Sequence, residues 1–279
     1  MTCRVPSEPR PADGSIAVTG SKGGVGKSNL VVNLAIALGR GGRRVVVIDG
    51  DLGLASLDVL LGLVPTRTVE QLVLGQARLE ELLVDGPGGI RLLPAASGVP
   101  RLARLDRSGR ARLLAALGRS SGLADDVLID TGAGLGETTL SLQLAAGRVV
   151  VVTTTEPTSL VDAYASIKLL WEADPDKRID LVVNNVSGDA EAQTAYEQIS
   201  RACVHFLERR PGWLGPIYHD PELILAVKRQ RALLDHRPAS RAARCYERIA
   251  LQLALEQGAG ARPAPWQQLL ACSDERSLS

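Results

Sequence analysis

The 279-residue chain is poor in aromatic residues and in lysine. Phenylalanine, tryptophan and tyrosine make up 3% of it, too few for the stacking platforms that bind single-stranded nucleic acids. The formal net charge is +1, so the charge balance does not require a nucleic acid or another anionic partner. Nearly all of the positive charge is arginine, and the chain has only five lysines. Two of the five, Lys22 and Lys27, lie in one short segment, which sets that segment apart.

The four cysteines are scattered, and none belongs to a Cys-x-x-Cys pair. This spacing excludes the common metal-binding cysteine motifs and predicts free thiols in a reducing compartment. Residues 1–14 are polar and do not resemble a signal peptide, and no apolar run approaches the ~20 residues of a membrane span. We therefore expect a cytoplasmic protein.

Apolar runs alternate with helical patterns along most of the chain. This alternation predicts an α/β fold, with a mostly parallel sheet flanked by helices on both faces. Several runs are continuous valine, isoleucine and leucine, as in strands that are buried on both faces. The predicted strands are 15–20, 44–49, 90–94, 126–131, 148–154, 180–184 and 214–218. The predicted helices are 28–39, 68–74, 108–119, 136–146, 158–171, 190–208, 220–228 and 240–256.

We expect a single domain over residues 15–256, with no internal repeat. Residues 1–14 and 257–279 contain proline, glycine and serine, which predicts two flexible tails. Within the second tail, residues 266–272 could form a short amphipathic helix.

Residues 21–28, Ser-Lys-Gly-Gly-Val-Gly-Lys-Ser, follow an apolar run and open a helical pattern. A strand, a glycine-rich turn and a helix in this order predict a phosphate-binding loop, because backbone N–H groups and the helix N-terminus together attract an anion. An ordinary glycine-rich turn is the alternative, and the complete strand–loop–helix context disfavours it. The predicted nucleotide contacts are Gly23, Gly24, Val25, Gly26, Lys27, Ser28 and Asn29.

Two side chains of this loop carry the predicted chemistry. Lys27 is placed to reach the β- and γ-phosphates of a nucleoside triphosphate, and the Ser28 hydroxyl to coordinate Mg²⁺. The predicted cofactors are therefore ATP or ADP together with Mg²⁺.

Three aspartates follow apolar runs, at the strand ends where parallel α/β sheets bind ligands. Of Asp49 and Asp51, one would hold Mg²⁺ through water and the other would orient the attacking water; we assign Asp49 to the metal and Asp51 to catalysis. Asp130 ends the run 127–130 and is expected in the magnesium's second shell of ligands. Solvated turn aspartates are the alternative. Asn184 ends a further run, and its amide suits the hydrogen-bonding edge of adenine.

These segments resemble the deviant Walker A loop of the MinD/ParA ATPases and, within that group, the FlhG/FleN branch. The resemblance covers about residues 15–255. The motifs that carry it are 22–28, 49–62, 88–98, 130–134, 156–164 and 220–230.

The resemblance implies an ATPase that dimerises with ATP and controls the number and placement of bacterial flagella. Lys22 would reach across the dimer to the partner's nucleotide, so it is expected to be catalytic together with Lys27 and Asp51. Ser28 and Asp130 carry over to the metal site, and Asn184 carries over to the adenine contact. The implied protein partners are a FleQ-type transcription activator, an FlhF-type GTPase or flagellar switch proteins.

Two features depart from this branch. Many members carry an N-terminal segment that stimulates the GTPase, and residues 1–14 contain nothing like it. Members also tend to end in a membrane-targeting helix, whereas residues 266–272 are short and are followed by Asp274 and Glu275. A helix on a lipid surface has a longer apolar face and basic flanks. Peripheral attachment of the ATP-bound form to the cell membrane therefore stays open.

Two other functions compete with a flagellar regulator. A partitioning ATPase would bind DNA non-specifically as an ATP dimer, and Lys228, Arg229 and Arg231 could belong to its basic face. The net charge and the branch motifs argue against direct DNA binding. An iron–sulfur carrier on the same scaffold would need mid-chain cysteines, and none lies between Cys3 and Cys203. The arginine-rich stretch 101–119 is either a docking face or, as we favour, a solvated helix with its lead-in.

Overall fold

A computed structural model describes residues 14–20, 22–96, 105–120, 122–134 and 136–257. Its centre is an eight-stranded sheet with the strand order β3-β4-β2-β5-β1-β6-β7-β8. Every neighbouring pair is parallel except β3 with β4. The strands are β1 Ser15–Thr19, β2 Val45–Gly50, β3 Val84–Asp85, β4 Arg91–Leu93, β5 Asp126–Thr131, β6 Arg148–Thr153, β7 Arg178–Val186 and β8 Gly212–Tyr218. The predicted mostly parallel sheet is confirmed.

Ten α-helices connect these strands within the described part of the chain. They are α1 Lys27–Arg40, α2 Leu57–Leu61, α3 Val69–Val73, α4 Arg107–Ser120, α5 Glu137–Ala145, α6 Pro157–Ala173, α7 Asp189–Leu207, α8 Pro221–Lys228, α9 Leu233–His236 and α10 Arg241–Gln257. Two single 3₁₀ turns, Leu79–Glu81 and Pro87–Gly89, flank β3. The sequence did not predict β3, α2 or α9, which are too short to show a hydrophobic period by themselves. The equally short α3 and β4 lie within the predicted runs 68–74 and 90–94.

The sheet is buried on both faces. One face packs with α1, α2 and α8–α10 around residues such as Ile16, Leu34 and Tyr246. The opposite face packs with α3–α7 around residues such as Ala17 and Ile167. Successive residues of β1 point to opposite faces, so Ile16 and Ala17 enter different cores. This two-sided burial explains the continuous apolar runs of the strands.

Polar contacts hold two of the C-terminal helices in place. Asn33 of α1 is fully buried, and its Oδ1 accepts a hydrogen bond from the backbone N–H of Leu234 at 3.0 Å. At the amino-terminal ends of β6 and β7, the buried Arg148 guanidinium pairs with Asp180 and lies 2.5 Å from Glu256 near the end of α10. The first contact fixes α9 against α1, and the second fixes α10 against the sheet.

Several predicted features lie outside the described residues. They are Ser21 of the loop, the tail 1–14 apart from Gly14, the tail 257–279 apart from Gln257, the helix 266–272, and Arg101 and Arg104 of the arginine-rich stretch. Two arginines of α4 are engaged within the domain: Arg110 pairs with Glu137 at 2.8 Å, and Arg112 donates to the Val73 carbonyl at 2.6 Å. No helix in the described part of the chain has both the length and the apolar character needed to cross a membrane.

Replacing Asn33 by alanine would leave the Leu234 N–H buried without an acceptor. Because an unsatisfied buried donor costs about 1–3 kcal/mol, we expect Asn33→Ala to lower the free energy of unfolding by that amount. Urea titration followed by circular dichroism measures the change. Gln198→Ala, at an exposed position of α7, is the control and should shift the midpoint little; an equal loss in both variants would contradict the assignment.

Candidate functional site

The loop between β1 and α1 has a backbone that only glycine adopts easily. Gly24 and Gly26 have φ values of 83° and 98°, in the left-handed region where a Cβ is strained. A Cβ on Gly26 would also lie 2.2 Å from Asn184 Nδ2. Gly23 and Gly24 are exposed, and an added Cβ on either would meet no atom within 4 Å. The loop therefore leaves open space beside the N-terminus of α1.

The two lysines of the loop have different environments. Lys27 is buried, and its Nζ donates to the Lys22 carbonyl at 3.2 Å. Burial lowers the pKa of Lys27, and the charges of Asp130 and Asp51 oppose that shift. The Lys22 side chain is less buried, and its Nζ donates to the hydroxyl of Thr158 at the start of α6. One ammonium is thus held inside the site and the other at its margin.

Asp49 and Asp130 are opposite each other on the neighbouring strands β2 and β5. Both oxygens of Asp49 are engaged, because they accept 3.2 Å hydrogen bonds from the backbone N–H groups of Asp51, Ser56 and Leu57. Burial, and next the charge of Asp130, raise the pKa of Asp49 to about 7. Asp49 therefore anchors the segment that leads into α2, and its predicted role at the metal stays a prediction.

Asp130 has an oxygen without a partner. Its side chain is hydrogen-bonded to Ser28, whereas its Oδ1 is buried and makes no hydrogen bond. Burial raises the pKa of Asp130 to about 6, although the Ser28 hydrogen bond and the charge of Lys27 lower it. A buried carboxylate oxygen beside a serine hydroxyl fits a hard divalent cation. The described residues contain no group of three or more His, Cys, Asp or Glu side chains placed to hold a metal, so such a cation would complete its shell with phosphate and water.

Asp51 lies at the open side of these carboxylates and is half-buried. Its Oδ1 accepts a hydrogen bond from the Leu54 N–H at 3.1 Å. A Cβ added to Gly132, in the segment after β5, would lie 3.3 Å from the same oxygen. The carboxylate thus lies between the two segments that follow β2 and β5, in reach of water. Its catalytic role stays a prediction.

Asn184 lies behind the loop. Its Nδ2 donates to the Val25 carbonyl at 2.8 Å, and the side chain is buried. The amide group therefore supports the loop backbone, which the sequence did not indicate, and its predicted contact with adenine stays a prediction. Asn29 lies in the first turn of α1, where its carbonyl accepts from Asn33 Nδ2 at 2.8 Å.

Three further residues belong to the site and were missed in the sequence. Gln143 of α5 donates to the Thr19 hydroxyl at 2.7 Å, just before the loop. Thr131 donates to the Val18 carbonyl at 2.9 Å, and Thr158 receives Lys22. Thr131 directly follows the predicted site residue Asp130, so its position in the sequence could have identified it. Thr158 is 136 residues from Lys22, and no local pattern connects the two.

The arrangement suits a polyphosphate with a divalent cation. Backbone N–H groups at a helix N-terminus and the Lys27 ammonium attract the phosphates. Ser28 and Asp130 supply oxygen atoms for the cation, and Asp51 supplies a carboxylate at the open side.

Comparison with known proteins agrees with this geometry. The family model for the CobQ/CobB/MinD/ParA nucleotide-binding domain matches residues 16–234. The chain is 40% identical over 235 residues to the antiactivator FleN of Pseudomonas aeruginosa, covering 84% of each protein. It is 33% identical over 259 residues to the flagellum site-determining protein YlxH of Helicobacter pylori, covering 91% of this chain and 86% of that protein.

A solved structure shows the same fold. The septum site-determining protein MinD of Pyrococcus horikoshii, in complex with Mg-ADP, superposes with a TM-score of 0.76 at 24% sequence identity. The match covers 89% of this chain and 98% of that chain.

The raised pKa of Asp130 predicts how stability depends on pH in the absence of nucleotide and metal. The pKa of this carboxyl group is higher in the folded state than in the unfolded state. Its ionisation therefore lowers the free energy of unfolding as pH rises from about 4 to about 6. We expect Asp130→Asn to raise the free energy of unfolding at pH 8, by on the order of 2 kcal/mol, and to raise it less at pH 5. Urea unfolding in EDTA at the two pH values measures this difference.

Asp125→Asn is the matched control. A hydrogen bond from Arg44 lowers the pKa of Asp125, so its ionised form is favoured in the folded state and the amide should not stabilise the protein at pH 8. A gain for Asp125→Asn equal to that for Asp130→Asn would show that burial of the Asp130 charge is not the cause.

Proposed function

The chain belongs to the CobQ/CobB/MinD/ParA nucleotide-binding family and is an ATPase of the MinD/ParA type, and from this premise we propose that it is a slow regulatory ATPase. It binds ATP with Mg²⁺, pairs with a second copy of itself, and controls flagella through protein partners. Hydrolysis returns the pair to single chains.

The observation that carries ATP binding is the environment of Lys27. A buried ammonium between the Lys22 carbonyl and the charges of Asp51 and Asp130 lies beside an open, glycine-lined helix N-terminus. Desolvation of this ammonium is unfavourable, and a phosphate group bound at the loop would offset it. A cation beside the Asp130 oxygen that has no hydrogen-bond partner would likewise stabilise the ionised form of this carboxyl group.

Each predicted residue has a role in this proposal. Gly23, Gly24, Val25, Gly26 and Asn29 supply backbone contacts to the nucleotide, and Lys27 binds the β- and γ-phosphates. Ser28 and Asp130, with Asp49 through water, hold Mg²⁺, which when bound neutralises phosphate charge. Asp51 orients the attacking water, and Asn184 contacts adenine with its amide oxygen, since its Nδ2 already donates to Val25.

The position of Lys22 supports the proposed pairing of two chains. It lies at the margin of the site rather than inside it, so it is available to a nucleotide on a facing chain. A cation supplied by a second subunit stabilises charge that develops in phosphoryl transfer, as an arginine finger does. Hydrolysis would then require the dimer.

The flagellar role rests on the relatives. One is named as an antiactivator and another as a flagellum site-determining protein. We extend these roles to the present chain, with a flagellar transcription activator, an FlhF-type GTPase or switch proteins as partners. The surface that would receive a partner forms when the dimer forms, so ATP controls the output.

Asp51→Ala should trap the ATP-bound dimer, because it removes the group that orients water and leaves the phosphate and cation contacts intact. Sedimentation with ATP and Mg²⁺ should show a persistent dimer for Asp51→Ala and a transient one for the wild type. Lys27→Ala should remain monomeric, and Asp85→Ala, an exposed residue of β3, should behave as the wild type. A strictly monomeric Asp51→Ala protein that still binds ATP would refute the dimer.

The identity of the partner is tested with the same variants. Immobilised Asp51→Ala protein with ATP should retain a flagellar activator, GTPase or switch protein from cell extract, and Lys27→Ala should not retain it. Retention of chromosomal DNA alone would instead favour a partitioning ATPase, for which the exposed Lys228, Arg229 and Arg231 are the candidate contacts. DNA binding of that kind would weaken steeply with salt.

A further inference from the structure

A buried amide of α5 reaches the last residue before the phosphate loop begins. Gln143 is 2% exposed, and its Nε2 donates to the Thr19 Oγ1 at 2.7 Å. The core on this side of the sheet is apolar, with Ala17, Ile129 and Leu142 among its members. An amide group in such surroundings is unfavourable unless it is hydrogen-bonded. The Thr19 hydroxyl therefore determines where the Gln143 side chain lies.

A second side-chain hydrogen bond reaches the preceding residue of β1. Thr131, at the end of β5, is fully buried, and its hydroxyl donates to the Val18 carbonyl at 2.9 Å. Val18 is opposite Asp130 in the parallel pairing of β1 with β5. The two hydrogen bonds thus tie the last two residues of β1 to the end of β5 and to α5, the helix that follows β5.

The shape of the phosphate loop is held by other contacts. The Val25 carbonyl accepts a hydrogen bond from Asn184 of β7 at 2.8 Å. The left-handed conformations of Gly24 and Gly26 belong to the loop backbone itself. Loss of the Gln143 hydrogen bond would therefore leave the internal shape of the loop in place. It would change where the loop begins relative to β5.

This placement matters because the proposed cation site is divided between the two elements. Ser28 lies in the first turn of α1, directly after the loop, whereas Asp130 is the penultimate residue of β5. A hydrogen bond joins their side chains, and the buried Asp130 Oδ1 has no partner. Mg²⁺ needs near-ideal octahedral geometry with oxygen atoms at about 2.0–2.1 Å. A small shift between α1 and β5 therefore weakens cation binding more than it weakens the backbone contacts with phosphate.

We propose that Gln143 is a positioning residue for the magnesium site. Through Thr19 it sets the start of the phosphate loop at the distance from β5 at which Ser28 and Asp130 can share one cation. This inference rests on the proposed function, which assigns Ser28 and Asp130 to Mg²⁺. Gln143 touches neither the nucleotide nor the cation. The chain from Asp130 to Gln143 thus supplies one ligand and positions the element that carries the other.

The test measures affinity for ADP, because ADP binding requires neither hydrolysis nor a second chain. Calorimetric titration in Mg²⁺ and in EDTA gives the factor by which Mg²⁺ tightens ADP binding. Gln143→Leu removes the amide and keeps a side chain of similar size. We expect it to lower this factor about five- to tenfold and to leave the affinity in EDTA within about twofold of the wild type, as the loss of one hydrogen bond predicts.

Variants of the acceptor test the same bond from the other side. Thr19→Val should reproduce the loss, and Thr19→Ser, which keeps the hydroxyl, should match the wild type. Thr19→Val also carries the test if Gln143→Leu does not fold. Ser141→Ala is the matched control, because it removes a hydrogen bond within α5, to the Glu137 carbonyl, and should leave the Mg²⁺ factor unchanged.

A double variant shows whether the effect passes through the contact. Gln143→Leu combined with Thr19→Val should lower the Mg²⁺ factor no further than either change alone. A loss equal to the two single losses added together would show that the residues act independently, and it would overturn the inference.

The outcomes separate the inference from the proposed function. An unchanged Mg²⁺ factor in Gln143→Leu overturns the role of Gln143 alone. A loss of ADP affinity that is equal in Mg²⁺ and in EDTA overturns it as well, because the loop itself would then be disturbed. A wild-type protein whose ADP affinity does not depend on Mg²⁺ refutes the proposed cation site, and the role of Gln143 with it.

Discussion

Uncompensated charge at one edge of the sheet is the constraint on which the rest of the site depends. Parallel strands bring Asp49 and Asp130 side by side at their carboxyl ends, where both are almost fully buried. Burial raises the pKa of both carboxyl groups, and the charge of Asp130 adds to the rise for Asp49. Lys27 offsets part of the charge but is itself desolvated. A bound cation and a bound phosphate group together would compensate the charges of these carboxylates and of Lys27, which the protein alone does not.

Buried hydrogen bonds hold the segments around this edge of the sheet in place. Asp49 uses both oxygens to fix the segment before α2, and Asn184 supports the loop through the Val25 carbonyl. On the other side of α1, Asn33 ties α9 to the helix that carries Lys27. Buried hydrogen bonds of this kind rigidify a site because an unmade one is costly. The loop backbone can therefore keep its conformation although the charges beside it are not fully compensated.

Much of this arrangement could be predicted from the sequence, for physical reasons. Strands buried on both faces leave continuous apolar runs, so the fold class could be read from the sequence and is confirmed. The resemblance to the FlhG/FleN branch is confirmed by the relatives. The phosphate loop was visible because its glycines, lysine and serine are adjacent in the chain. Placement of these residues agrees with the predicted site, whereas their individual roles stay predictions.

What the sequence could not show depends on contacts between distant segments. The short helix α2 begins where Asp49, eight residues before Leu57, accepts its first N–H groups, so its start is not encoded in its own five residues. The support of the loop by Asn184 joins residues 159 apart. Neither contact leaves a periodic pattern, because each depends on which strand ends meet in the folded sheet.

The two loop lysines show how the same residue type acquires different functions from its surroundings. Lys27 is buried among charges and is held by a backbone carbonyl, so it can move little and is suited to bind phosphate in its own chain. Lys22 donates to the hydroxyl of Thr158 in the first turn of α6 and is less buried than Lys27. Burial therefore holds Lys27 inside its own site, whereas Lys22 is hydrogen-bonded to a neighbouring helix at the edge of the loop. In the proposed dimer, Lys27 would bind phosphate in its own chain and Lys22 would supply a cation to the second chain, so one loop would serve two sites.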